Sequence, residues 1–233
     1  MAAVVPIGTG VIEPTDDGTT EGPWRDRVVS RSLGAARRQS IDRGAAFVGA
    51  AMEILREEGE SLTVQDVADR AGFSLRILYR HFASKDDLLA AVLEEILFAA
   101  AKQMRTELYK IDDPVERLAT FISGLIDNER SAFNIALTKH ELLLMTVRPE
   151  EVGRAHAPIA QLGVELVSAV VDTGKVPAVR PEDVVSLIFN TTRSYNHSKL
   201  LGDTSGLSIT PPAQTTVVAY CMGGIGLAVP ERP

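Results

Sequence analysis

The sequence predicts an all-α chain, and three observations carry that expectation. Apolar residues recur at three- and four-residue spacing, polar caps stand where those periods begin, and glycine or proline stands where they end. Hydrophobic residues make up 45% of the 233 residues and aromatics only 5%, a balance that favours helices packed on helices. The length allows a small amino-terminal domain and a larger helical domain with its own core. We place an amino-terminal extension at 1–39, a three-helix domain at 40–86 and a second helical domain at 87–233.

Met1 to Pro23 is rich in Gly, Thr and Pro without a period, and is expected to be disordered. Trp24 to Arg43 is basic: Arg25, Arg27, Arg31, Arg37, Arg38 and Arg43 are opposed only by Asp26 and Asp42. Such an arm can follow phosphates or enter a minor groove, or it can be a solvated tail. Ile41 to Glu58 places Val48, Ala51, Met52 and Leu55 on one stripe beside Phe47 and Ile54, and stops at Gly59. Thr63 caps the next helix with Asp66 as the answering acid, and Val64, Val67, Ala68 and Ala71 form its apolar face. Gly72 then permits the positive φ needed to leave that helix, and Ser74 is placed to cap another almost at once. That third helix sends Leu78 and Phe82 inward and leaves Leu75, Arg76, Tyr79 and Arg80 largely on other faces.

Ser84 with Asp87 caps a longer helix reaching about Tyr109, whose stripe of Leu88, Leu89, Val92, Leu93 and Ile96 makes it the connector to the rest. Asp113 caps the following helix, with Pro114 in its first turn and Leu118, Phe121, Ile122 and Leu125 facing inward. Ser131 to Val147 turns Phe133, Ala136, Leu137, Leu144 and Val147 to one side, and Pro149 closes it. Glu150 to Thr173 holds Pro158, which predicts a kinked or split helix. Pro181 begins a helix carrying Val184, Val185, Ile188, Phe189, Thr192 and Tyr195. After a loop from Gly202 to Ser208, Thr210 starts the last helix, which runs to Val229 and places Val217, Val218, Cys221 and Ile225 inward.

Two short helices joined at a glycine, the second presenting Arg76, Tyr79 and Arg80, have the form of a helix-turn-helix that lays a helix in the DNA major groove. The run TVQDVADRAGFS-x-x-x-LYRHFASKDDLL resembles the DNA-binding domain of the TetR family of transcriptional regulators, over roughly Ile41 to Leu97. The resemblance implies that the helix beginning at Ser74 is the recognition helix. Thr63 and Ser74, at helix starts, would meet phosphates. Tyr79 and Lys85 match positions that typically hold the backbone on either side of the groove, and Leu75 and Arg76 match positions that usually face bases. A guanidinium at Arg76 can take guanine O6 and N7 together or bind a phosphate instead. Ile77 stands where many relatives have threonine, which removes a hydroxyl and leaves the operator sequence open. Arg80 and His81 are each able to reach a phosphate, and His81 to pack within the domain.

The resemblance further implies a homodimer, formed by the last two helices, Pro181 to Leu201 and Thr210 to Val229, with their symmetry mates. Its recognition helices would be about 34–36 Å apart on a palindromic double-stranded operator. A small-molecule effector in the second domain would lower DNA affinity through the connector helix, making the chain a repressor; a ligand-dependent activator is the alternative. The effector lining is expected from Phe121, Leu125, Phe133, Leu137, His140, Leu144 and Tyr195. Asn134, Thr138, Glu141, Arg193, Asn196 and His197 supply further polar groups, suiting an apolar or amphipathic compound.

The net charge of −7 argues against a protein that coats nucleic acid over its whole surface and leaves room for a local basic face. One cysteine, Cys221, excludes an internal disulfide and a cysteine-cluster metal site, and reads as a small buried hydrophobe. No apolar run spans a membrane and MAAVVPI lacks the features of a secretion signal, so a cytoplasmic location is expected. A helical enzyme using His140 and Glu141, with His156 and His197, is the rival class. It lacks the second histidine of a helical zinc site and any glycine-rich strand-to-helix loop for a nucleotide, so neither a metal nor another cofactor is expected. A DNA-bending protein would not need so large an acidic helical domain.

Overall fold

A computed structural model of the chain describes residues 23–126, 131–177, 179–202 and 210–228. The chain divides into two units, residues 1–42 and 43–233. The described residues hold nine α-helices, one 3-10 turn and no strand. The extension at 1–22, the side chains of Arg25, Arg27 and Arg31, and most of the expected loop after Gly202 lie outside the described residues.

Helix α1 is Pro23–Glu58, so the segment expected as a basic arm is helical from Pro23. Its residues are mostly good helix formers broken by no internal proline, and Arg37 and Arg38 are exposed on it. From Arg43 onward α1 joins the second unit: Phe47, Ala51, Ile54 and Leu55 are buried, and Val48 and Met52 half-buried. A 3-10 turn, Gly59–Ser61, leads to α2 (Val64–Arg70), then α3 (Leu75–His81) and α4 (Lys85–Leu108). These helices close a core around Phe47, Leu55, Val67, Leu78, Leu88 and Val92.

Helices α5 (Pro114–Ile126), α6 (Ala132–Val147), α7 (Pro149–Val171), α8 (Pro181–Leu201) and α9 (Gln214–Gly224) build the second core, around Leu118, Phe121, Ile122, Leu162, Leu166, Ile188 and Met222. Asp113 caps α5 through the Val115 N–H at 2.9 Å, and Ser131 caps α6 through the Asn134 N–H at 3.1 Å. Pro149 opens α7 as well as ending α6, with only Arg148 between them; a proline suits the first turn, where its missing N–H is not needed. Pro158 does not split α7: the helix continues through it, held by the buried stripe of Ile159, Leu162, Leu166, Val167 and Val170.

Helix α9 is shorter than expected at both ends. Thr210 to Ala213 stays non-helical, as Pro211 and Pro212 each keep the residue before them out of the α region, and Gly226 follows the end of the run at φ +82°. Helix α4 is pinned along α7 by Arg105, whose two amino groups donate to Glu165 at 2.7 and 2.9 Å while the Tyr109 hydroxyl donates to the same carboxylate. That fork holds the Glu165 carboxyl below its ordinary range. Burial raises the Cys221 thiol, in keeping with a small unreactive core residue. No helix among the described residues is long and apolar enough to cross a membrane.

Candidate functional site

The turn between α2 and α3 is a local consequence of the sequence. Thr63 accepts a hydrogen bond from the Asp66 N–H at 3.2 Å, and its hydroxyl donates to the Asp66 carboxylate, closing the expected capping box. At the other end the Gly72 N–H donates to the Asp69 carbonyl at 3.1 Å and the Phe73 N–H to the Ala68 carbonyl at 3.0 Å. This is the two-bond ending that requires a left-handed residue, and Gly72 supplies it at φ +75°. Phe73 then packs against the core beside Phe47, at 5.4 Å between ring centroids. With α2 stopped so sharply, α3 begins two residues later and is fixed against the core by Leu78, which is fully buried.

Arg76, Tyr79 and Arg80 are exposed on α3, and Ser74 is exposed at its start. Ser74 takes the extended N-cap conformation but makes no side-chain cap bond, so its expected capping role is carried by backbone geometry alone. Leu75 and Ile77 are half-buried and pack on the core. Lys85 is also engaged: its ammonium donates to the Leu62 carbonyl at 2.6 Å, tying the start of α4 to the residue before the α2 cap. His81 is half-buried with its ring 5.9 Å from that of Phe47, the internal packing that was one of its two expected roles. The Thr63 hydroxyl is committed twice within its own capping box.

In the second domain a cavity of about 250 Å³ opens between α4, α5, α6, α7 and α8. Leu93, Ile96, Leu97, Ala100 and Met104 of α4 line its apolar side with Leu125, Phe133, Leu137, Ile159 and Phe189. Glu141, His156, Arg193, Asn196 and His197 gather on the polar side with Asn134, Thr138 and Thr192. Of the seven residues expected to line an effector site, Leu125, Phe133 and Leu137 line this cavity, while the other four are elsewhere. Phe121 is fully buried against Gly163 of α7, and Leu144 is buried in the core of the amino-terminal domain. Tyr195 packs on the second core with Lys199 over its ring, and half-buried His140 is not in the lining.

The α4 residues, Gly124, His156, Ile159, Phe189 and Thr192 are the lining groups that the sequence did not mark as such. The α4 stripe continuing past the needs of a three-helix domain was the available signal.

The polar side is compact. His156 Nε2 lies 3.3 Å and Arg193 Nε 3.7 Å from the same oxygen of Glu141. Burial lowers the His197 pKa, with Glu141 opposing that shift and Arg193 adding to it. Helix α6 belongs to both sites. Phe133, Asn134, Leu137, Thr138 and Glu141 face the cavity, whereas Ala136 and Leu144 are buried in the amino-terminal core. Arg148, at the α6–α7 corner, ion-pairs with Asp87 and donates to the Ser84 hydroxyl at 3.3 Å, strapping that corner to the cap of α4. Among the described residues, no group of three or more His, Cys, Asp or Glu side chains is placed to hold a metal ion.

The family model for bacterial regulatory proteins, tetR family, matches residues 47–92. The chain is 37% identical over 57 residues to the uncharacterised HTH-type transcriptional regulator YvaF of Bacillus subtilis, covering 24% of this chain and 30% of that protein. It is 31% identical over 87 residues to the HTH-type transcriptional activator FasR of Mycolicibacterium smegmatis, covering 37% of this chain and 40% of that protein. The chain thus spans less than half the length of the curated relatives it matches, all of them regulators rather than enzymes. The fold is similar to the crystal structure of RolR in complex with its ligand resorcinol, with a TM-score of 0.61 at 16% identity over 82% of this chain and 91% of that one. That likeness concerns fold alone. Residues 47–92 are thus similar to the tetR family of bacterial regulatory proteins, and the helix-turn-helix and all-α architecture of the described residues fit that likeness.

Proposed function

We propose that this chain regulates transcription as a homodimer that binds a palindromic double-stranded operator through α3 and is released from it by a small molecule held in the α4–α8 cavity. The observation that carries this reading is the double duty of α6, which gives one face to the cavity and another to the core that seats α3. A ligand that moves α6 must repack that core or shift it as a body, because close-packed interiors do not deform continuously. The Arg148 strap to the α4 cap offers a second route for the same displacement.

Pairing through α8 and α9 is supported by Leu187 and Tyr220, 69% and 72% exposed on those helices. Gly223 and Gly224 also leave open space into which a partner helix can approach. RolR, with resorcinol bound, gives a precedent for a small ligand in this fold. The activator alternative stays open, and FasR, named an activator, is its support.

Selection of binding sites from a random double-stranded pool, with the purified chain at stated salt, tests the reading. Enrichment of a palindrome is the expected result; no enrichment even at low salt overturns it. On the recovered site, Arg76→Ala is expected to cost about 1–3 kcal/mol and to relax preference at one base pair while leaving thermal stability unchanged. Lys85→Ala is expected to weaken all sequences alike and also to lower the melting temperature, since it removes the bond to the Leu62 carbonyl. Wild-type affinity in both variants would move the DNA-reading surface away from α3.

A further inference from the structure

Resting on the reading of the α4–α8 cavity as the effector site, we infer that its ligand is a compact, mostly apolar molecule with a neutral or weakly acidic hydroxyl, such as a phenol. The volume sets the first limit. About 250 Å³ lies just under the range typical of drug-sized ligands, roughly 300–1,000 Å³, so a single small ring with short substituents is the natural scale. Phe133 and Phe189 offer aromatic surface, with the His156 ring edge-on to Phe189 at 6.3 Å.

Hydrogen-bond bookkeeping sets the polar chemistry. The Asn196 amide nitrogen donates to the Leu125 carbonyl at 2.8 Å, which fixes the amide orientation and leaves Oδ1 as a buried acceptor with no donor. Glu141 Oε1 is likewise buried without a hydrogen bond: His156 Nε2 at 3.3 Å is near enough for charge attraction but not aligned, and Arg193 Nε at 3.7 Å is beyond reach. Both residues line the cavity, and both lack the same thing. Buried acceptors without donors are uncommon, and a ligand hydroxyl between α6 and α8 supplies a donor to one of the two.

The test compares four probes of one shape on the full chain by calorimetry and thermal shift: 4-methylphenol, para-xylene, 4-methylbenzoate and 4-methylbenzylammonium. The phenol is expected to bind about tenfold tighter than xylene, the worth of one satisfied hydrogen bond. Glu141→Leu is expected to erase the preference for phenol over xylene while xylene still binds. Equal affinity for phenol and xylene in the wild type overturns the donor argument and leaves the cavity reading standing. Tightest binding by the ammonium, whose donors are cationic, overturns the hydroxyl, and so does tightest binding by the benzoate, which brings no donor. If none of the four binds, the cavity itself is not an effector site.

Discussion

Phe121→Ala is expected to cost about 3–5 kcal/mol of stability, the range for emptying a buried aromatic site. Phe121 is fully buried, and a Cβ added at Gly163 would sit 3.2 Å from two of its ring atoms and 3.2 Å from a Val185 methyl. The ring occupies the place that a side chain on α7 would otherwise take, so α5, α7 and α8 close around one aromatic group and one missing side chain.

Two further variants make the argument checkable. Gly163→Leu alone overpacks the same spot and should cost about 1–3 kcal/mol. Combined with Phe121→Ala, it should return part of the lost stability, because the new side chain fills the space the ring vacated; the coupling is read from a double-mutant cycle in denaturant melts. Strictly additive losses would mean that the two positions do not share a space. A Phe121→Ala variant that melted like the wild type and lost only ligand affinity would return Phe121 to the cavity wall.

That contrast marks where the sequence was legible. Local signals were read correctly because each is settled within a few residues: Thr63 with Asp66, Gly72 at positive φ, Ser84 with Asp87. The helix-turn-helix follows from those three alone. What periodicity does not reveal is which interior an apolar face enters. Helix α6 shows this best, since Phe133 and Leu137 line the cavity while packing on the amino-terminal core, and Leu144, on the same inward stripe, is buried in that core alone. Lys85 and Leu75 follow the same logic: their positions suggest contact with DNA, and nothing in their own helices shows the bond of Lys85 to the Leu62 carbonyl or the packing of Leu75 on the core. His156 was noticed for its chemistry, but its place in the cavity depends on α7 crossing α6 and α8, a long-range fact absent from its own helix.

Leu78→Ala, expected to cost about 2–5 kcal/mol, tests how the recognition helix is held. Leu78 is the one fully buried side chain of α3, and Arg76, Tyr79 and Arg80 occupy the exposed face of the same short helix. A seven-residue helix has little stability of its own in water, so its orientation derives from that anchor and from Leu75, Ile77 and Phe82 packing beside it. Loss of Leu78 should therefore weaken operator binding and lower the melting temperature together, whereas Leu78→Met, close in volume, should keep both within about 1.5 kcal/mol. The core that receives Leu78 includes Ala136, Leu144, Val152 and Ala155 from α6 and α7. The destabilised variant should then melt in a single transition that includes those helices, not in an early step confined to the amino-terminal domain. A separate early transition would show that the shared core does not couple the two domains, and would remove the physical basis for passing a signal from the cavity to α3. A variant that melted like the wild type but no longer bound DNA would point elsewhere: Leu78 would be touching the operator, and α3 would be turned about its axis from the placement argued above.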